Sequence, residues 1–152
     1  MSLTTTEINK FMFSNSAVNR YFLGTFPACQ MPLISQKWYC FITNTDEHDK
    51  PGQHWNAWFV KNGQLSFLDT FGRSIDDVQL PSYYRDYVKN FHEYEYCKIP
   101  IQSISSKNCG LFCIHFTYLM SFGFDFEYFL NQFYFNVNLN DNVVEQFYNS
   151  VL

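Results

Sequence analysis

Charge is scarce in this chain and is nowhere concentrated. Only 16% of its 152 residues are charged, and the ten Lys and Arg, spread from Lys10 to Lys107, are outnumbered by fourteen Asp and Glu for a net charge of −4. A protein held to nucleic acid by phosphate contacts clusters its cations, so this distribution gives no support for DNA or RNA as a principal ligand. Zinc-type spacing is missing too. The five cysteines, at positions 29, 40, 97, 109 and 113, include no C-x2-C pair. Their odd number, with no secretory signal ahead of them, points to a reducing, intracellular setting. No apolar run approaches the roughly 18 residues of a membrane-spanning helix, which predicts a soluble protein. There is no internal repeat and no low-complexity tract.

What the chain has in abundance is apolar and aromatic surface: 47% hydrophobic residues, with 18 Phe and 11 Tyr. At this length a single domain, residues 1–152, is expected, burying roughly 68–70% of its unfolded surface. Thr4-Thr5-Thr6-Glu7 before Ile8, Phe11 and Met12 predicts a capped N-terminal helix. Tyr21–Phe26 reads as extended, and Trp38–Thr43 is a run of β-formers suited to a central strand. Residues Asn44 to Gln53 form a polar approach loop in which His48 would be solvated. Trp55–Val60 and Leu65–Leu68 flank Lys61-Asn62-Gly63-Gln64, and Asn-Gly between two β-rich runs predicts a hairpin. Ser82–Phe91 suggests a helix, Glu93–Ile101 a strand, and Gln102–Asn108 a polar loop. A buried helix over Cys109–Phe122 and two amphipathic segments near Asp125–Tyr134 and Asp141–Val151 complete the chain. The order predicts an α+β fold: a small mixed or antiparallel sheet packed on a central helix that carries Cys109, with flanking helices.

Cys109 is placed where the polar loop becomes that helix. Helix N-termini carry unpaired N–H donors and the positive end of the helix dipole, which favour a thiolate and can hold an oxyanion. The hairpin puts His54 at the start of one strand and Asp69 at the end of the next, and those ends are neighbours in an antiparallel pair. A cysteine hydrolase needs a thiolate, an imidazole, a group that orients the imidazole, and oxyanion donors. Cys109, His54 and Asp69 would fill the first three roles, and the Gln102 side chain with the Cys109 backbone N–H the fourth. Gly110 would keep the helix start clear for substrate, and Trp55 would pack either on the His54 ring or, at least as readily, in the core. Each residue alone has an ordinary structural reading; their joint placement at element ends is what points to chemistry. Cys113 lies one turn after Cys109, but C-x3-C-x-H with His115 fits no common zinc site, and no metal is expected.

The motifs resemble those of the adenovirus endopeptidase (adenain) family and its relatives in Polinton-type elements and virophages. Tyr21-Phe22-Leu23-Gly24-Thr25 is similar to the family's YFLGT segment, and His54-Trp55 to its catalytic histidine segment. Phe71-Gly72 after Asp69 resembles its acid followed by Pro-Phe-Gly. Gln102 through Cys109-Gly110-Leu111-Phe112-Cys113 resembles its Gln-to-CGLFC stretch, with a separation of seven residues. The resemblance implies the ubiquitin-like-protease type of α+β fold and a cysteine endopeptidase with protein substrates. It also implies cleavage of viral capsid precursors during particle maturation at Gly-containing sites, in the virion and the host-cell interior. An isopeptidase for ubiquitin-like modifiers is the alternative within the same clan. Two features differ: the acid is Asp69 where adenain has Glu, and the chain is acidic where adenain is basic. The sequence requires no cofactor, and a monomer is expected. The resemblance brings in a peptide or DNA activator, yet Cys97 stands at a different offset from Gln102 than the family's peptide-linking cysteine.

Overall fold

The structure, a computed structural model, describes residues 2–45 and 54–152. His48 and most of the expected approach loop, residues 46–53, lie outside the described residues. Five strands form one mixed sheet in the order β1 to β5: Phe22–Pro27, Trp38–Asn44, Trp55–Lys61, Gln64–Leu68 and Tyr94–Tyr96. β1 runs parallel to β2, β2 to β4 are antiparallel, and β5 is parallel to β4. The β3–β4 turn is Asn62-Gly63 between paired Lys61 and Gln64, with φ of 52° and 80°. That left-handed pair matches the strand twist, which is why Asn-Gly fixes the hairpin.

Apolar residues run almost unbroken through β2 and β3 because both faces of the sheet are covered. On one face Cys40, Ile42, Ala57, Phe59 and Leu68 join a core with α1 (Thr5–Ser14), α3 (Cys109–Ser121), α4 (Phe126–Leu130) and α5 (Asn140–Val151). On the other, Tyr39, Phe41, Trp58, Val60 and Phe67 pack with Tyr84 and Tyr87 of α2 (Ser82–Val88). α3 is largely apolar and buried on nearly every side, as a helix enclosed in the core is, and it packs on β3. The expected α+β arrangement, a small mixed sheet against a central helix, is the one found. α1 is capped as its sequence indicates: the Thr4 hydroxyl accepts from Glu7 N–H and the Glu7 carboxylate from Thr4 N–H, both at 3.2 Å.

Three elements are shorter than their sequence suggests; the helix expected over Ser82–Phe91 ends at Val88. The strand expected over Glu93–Ile101 pairs only at Tyr94–Tyr96, since Pro100 cannot donate to a ladder and Ile101 N–H is drawn to Thr70 O at 2.8 Å. The helix expected over Asp125–Tyr134 ends at Leu130, and the Tyr134 backbone is held instead by the side chain of Asn140.

Candidate active site

The hairpin register sets the site. Ala57 pairs with Leu68, so one step beyond the ladder Asn56 faces Asp69, and two steps further His54 faces Phe71. His54 Nε2 donates to Asp69 Oδ1 at 2.9 Å, and Asn56 Nδ2 donates to the same oxygen at 2.9 Å. Arg73 grips the carboxylate from the other side, Nε to Oδ2 at 2.9 Å and Nη2 to Oδ1 at 3.0 Å, and its backbone N–H reaches Oδ2 at 3.2 Å. Asp69 is fully buried. Burial alone would raise its pKa, but the hydrogen bonds from His54 and Arg73 outweigh it and hold the carboxyl well below the usual range. Asp69 is therefore a fixed negative charge with every acceptor direction used.

That charge acts on His54. Burial is the largest influence on the imidazole and pulls its pKa down, but the hydrogen bonds to Asp69 and to Cys109, with the charges on both, bring it above its ordinary 6.5. With Nε2 committed to Asp69, Nδ1 is the nitrogen left for the Cys109 thiol. This is the tautomer a thiol's proton acceptor requires: N–H toward the acid, lone pair toward sulfur. Half-buried Cys109 is the first residue of α3, so its backbone N–H has no intrahelical partner. Cys109, His54, Gln102 and Arg73 line one cavity of about 680 Å³, together with Trp55, Phe71 and the N-terminal residues Ser2 to Thr5.

Gln102 lies in that wall, buried to 2% exposure. Its side-chain oxygen accepts from the Thr70 hydroxyl, and its Nε2 lies 3.2 Å from Ser106 O and 3.3 Å from Ser106 Oγ. Thr70 O also accepts from the backbone N–H groups of Ile101 and Gln102. The segment carrying the acid and the segment carrying the glutamine are thus sewn together. Gly72 permits this: its φ is +79°, and a Cβ there would stand 2.7 Å from the Ile99 carbonyl carbon and 2.9 Å from Pro100 N.

One open alternative is resolved and one expectation is corrected. The ring stacked on His54 is Phe71, with centroids 4.8 Å apart and planes 24° apart, while Trp55, one residue along a strand that alternates its faces, belongs to the core against α3. Gly110 does not clear space for substrate: it is buried, and a Cβ on it would meet Leu3, Ile8 and Trp55 at 3.4–3.5 Å. Among the described residues no cluster of His, Cys, Asp and Glu could hold a metal ion, and no helix is long and apolar enough to cross a membrane.

Comparison with known proteins accords with this geometry. A thiol protease of Acanthamoeba polyphaga mimivirus is 28% identical over 152 aligned residues, covering 82% of this chain and 49% of that protein. The protease of bovine adenovirus 7 is 31% identical over 113 residues, covering 64% of this chain and 54% of the other. The chain is similar to viral cysteine proteases. The adenain-like resemblance read from its motifs is borne out, and the chain spans about half the length of these relatives. Two crystal structures of the African swine fever virus protease share the fold. The TM-scores are 0.60 and 0.56 at 14% and 15% identity, covering 88% and 84% of this chain and 63% and 60% of those. No protein-family model matches.

Of the motif residues, His54, Cys109 and Gln102 line one cavity and Asp69 is buried behind His54, but the motifs do not contain the groups that hold Asp69. Asn56 and Phe71 could have been found by counting the hairpin register outward from Asn62-Gly63. Arg73 carries no such signal; it reaches Asp69 because the Asp69–Gly72 turn, closed by Gly72 N–H on Asp69 O at 3.0 Å, reverses the chain. A buried relay lies behind Asn56. Trp58 Nε1 donates to the Thr43 hydroxyl, Thr43 to Tyr84 OH, and Tyr84 OH to Asn56 Oδ1, which turns the Asn56 amide hydrogens toward Asp69.

Proposed function

We propose that this chain is a cysteine endopeptidase acting through Cys109, His54 and Asp69 by way of a thioester. The observation that carries the reading is the buried imidazole: His54 Nε2 is hydrogen-bonded to Asp69, which leaves Nδ1 for the Cys109 thiol, and His54 and Cys109 line the same open cavity. Nδ1 takes the thiol proton as sulfur attacks the scissile carbonyl carbon. The carbonyl oxygen becomes an oxyanion, received by the Cys109 N–H and the Gln102 amide. His54 then protonates the leaving amine, the thioester forms, and a water deprotonated by His54 hydrolyses it and restores the thiol. Asp69 stays ionised throughout and steadies the imidazolium.

The substrates are proteins, in this reading viral capsid or core precursors cut at Gly-containing sites during particle assembly. Named proteases of an adenovirus and a mimivirus among the relatives support that context. The test is to incubate the purified chain with candidate capsid proteins and with a ubiquitin-like C-terminal probe, mapping cut sites by mass spectrometry. Cleavage of capsid proteins, abolished by Cys109→Ala and retained by Cys113→Ala, is expected. Turnover persisting in Cys109→Ala would refute the mechanism, and reaction with the modifier probe alone would make the chain an isopeptidase.

A further inference from the structure

We propose that Asp141, in the first turn of α5, is a positioning residue that sets the oxyanion-binding loop through Ser106. The proposal rests on the roles assigned above to Cys109 and Gln102. Between Ile101 and Cys109 the chain is irregular, and α5 holds it at three points. Fully buried Asn140 donates from Nδ2 to Ile101 O at 2.9 Å. Ser106 Oγ donates to Asp141 Oδ1 at 2.6 Å. Asn108 Nδ2 donates to Glu145 Oε1 at 2.9 Å. Asp141 and Glu145 are four residues apart and so share one face of the helix.

The Ser106 hydroxyl is the hub. It has one proton and two lone pairs, and its neighbours leave a single assignment. The Asp141 carboxylate can only accept, so the proton points outward to it. The lone pairs then face inward, one toward Asn108 N–H at 3.2 Å and one toward Gln102 Nε2 at 3.3 Å. Those two groups bracket the oxyanion site: Gln102 supplies one donor, and Asn108 immediately precedes Cys109, whose N–H supplies the other. Without an acceptor at 141 the hydroxyl proton is released to turn inward, where it opposes both donors. The charge-assisted bond to Asp141 thus fixes the sense of the whole network.

The test uses the full chain with Asp141→Ala, Asp141→Asn and Ser106→Ala, and reads two reactions at Cys109. Hydrolysis of an activated peptide ester needs the oxyanion donors. Alkylation by iodoacetamide needs the thiolate and His54 but no oxyanion site. Misplacing one oxyanion donor costs about 10²–10³ in kcat, so Asp141→Ala and Ser106→Ala are expected to lose at least about tenfold in kcat, a partial version of that loss. KM and the alkylation rate should stay within about twofold. Asp141→Asn, whose amide oxygen can still accept, should recover most of the rate. Unchanged kcat in Asp141→Ala and Ser106→Ala would overturn the proposal, as would alkylation falling in step with kcat. If Asp141→Ala fails to fold, Ser106→Ala and Asp141→Asn decide by the same two readouts. An unsubstituted chain that neither hydrolyses the ester nor alkylates selectively at Cys109 would overturn the proposed function, and this proposal with it.

Discussion

His115 should make the protein lose stability in mild acid, and replacing it should remove the loss. It sits in the middle of α3 at 1% exposure, stacked on Phe147 at 4.0 Å and flanked by Phe129 and Phe133. Neither ring nitrogen has a hydrogen bond of normal geometry, and the Gln132 side chain is a lesser influence than burial, which pushes the pKa down to about 4. In the unfolded chain the same group titrates at 6.5. Between the two values the unfolded state binds the extra proton, so stability is full above about 6.5 and falls as the pH drops toward 4. At 1.36 kcal/mol per pH unit, the gap between 6.5 and 4 corresponds to about 3 kcal/mol. Urea unfolding at pH 7.5 and 4.5, for the unsubstituted chain and His115→Phe, isolates this effect. His54, raised above 6.5, contributes stability that is complete below 6.5 and lost at higher pH, and Asp69, depressed, contributes stability lost only at lower pH; both cancel in the difference between the two chains. The Phe variant should fall by about 2–3 kcal/mol less between the two pH values. An equal fall in both chains would refute the reasoning.

Three further outcomes follow from the site. Gly72→Ala should cost roughly 2–4 kcal/mol in thermal unfolding and most of the activity, because the new methyl strikes the Ile99–Pro100 backbone at a positive φ; a change within about 0.5 kcal/mol would contradict it. Asp69→Asn should lower kcat by about 10²-fold or more, yet less than His54→Ala, since an amide turned to grip Arg73 presents N–H to the imidazole and favours the wrong tautomer. Arg73→Met leaves the Asp69 charge to His54 with one competitor fewer, so the low-pH limb of kcat/KM, where His54 becomes the free base that takes the thiol proton, should move upward; a downward shift would mean that Arg73 does not compete for that carboxylate.

Much of this was legible because local chemistry and long-range geometry agree. Asn62-Gly63 fixes a two-residue turn, the turn fixes the register, and the register brings residues 54 and 69 together. The Thr4–Glu7 box and the largely apolar α3 were equally direct. The misses came from places where tertiary contacts decide. Pro100 and the pull of Thr70 O shortened β5, and the Asn140 side chain claimed a backbone that periodicity gave to α4. Gln102 belongs to a polar stretch and is buried all the same, because Thr70 and Ser106 satisfy its amide. Arg73 and Asp141 escaped notice for one reason: each serves the site through a loop reversal or a helix packed from far along the chain, and no spacing rule carries that information.

Acylation of Cys109 can be read directly. The protein is mixed with an activated peptide ester, quenched in acid within one turnover, digested, and mapped by mass spectrometry. The acyl group is expected on Cys109, absent in Cys109→Ala and strongly reduced in His54→Ala. An acyl group on Cys113 or another residue, or ester turnover with none on Cys109, would contradict it.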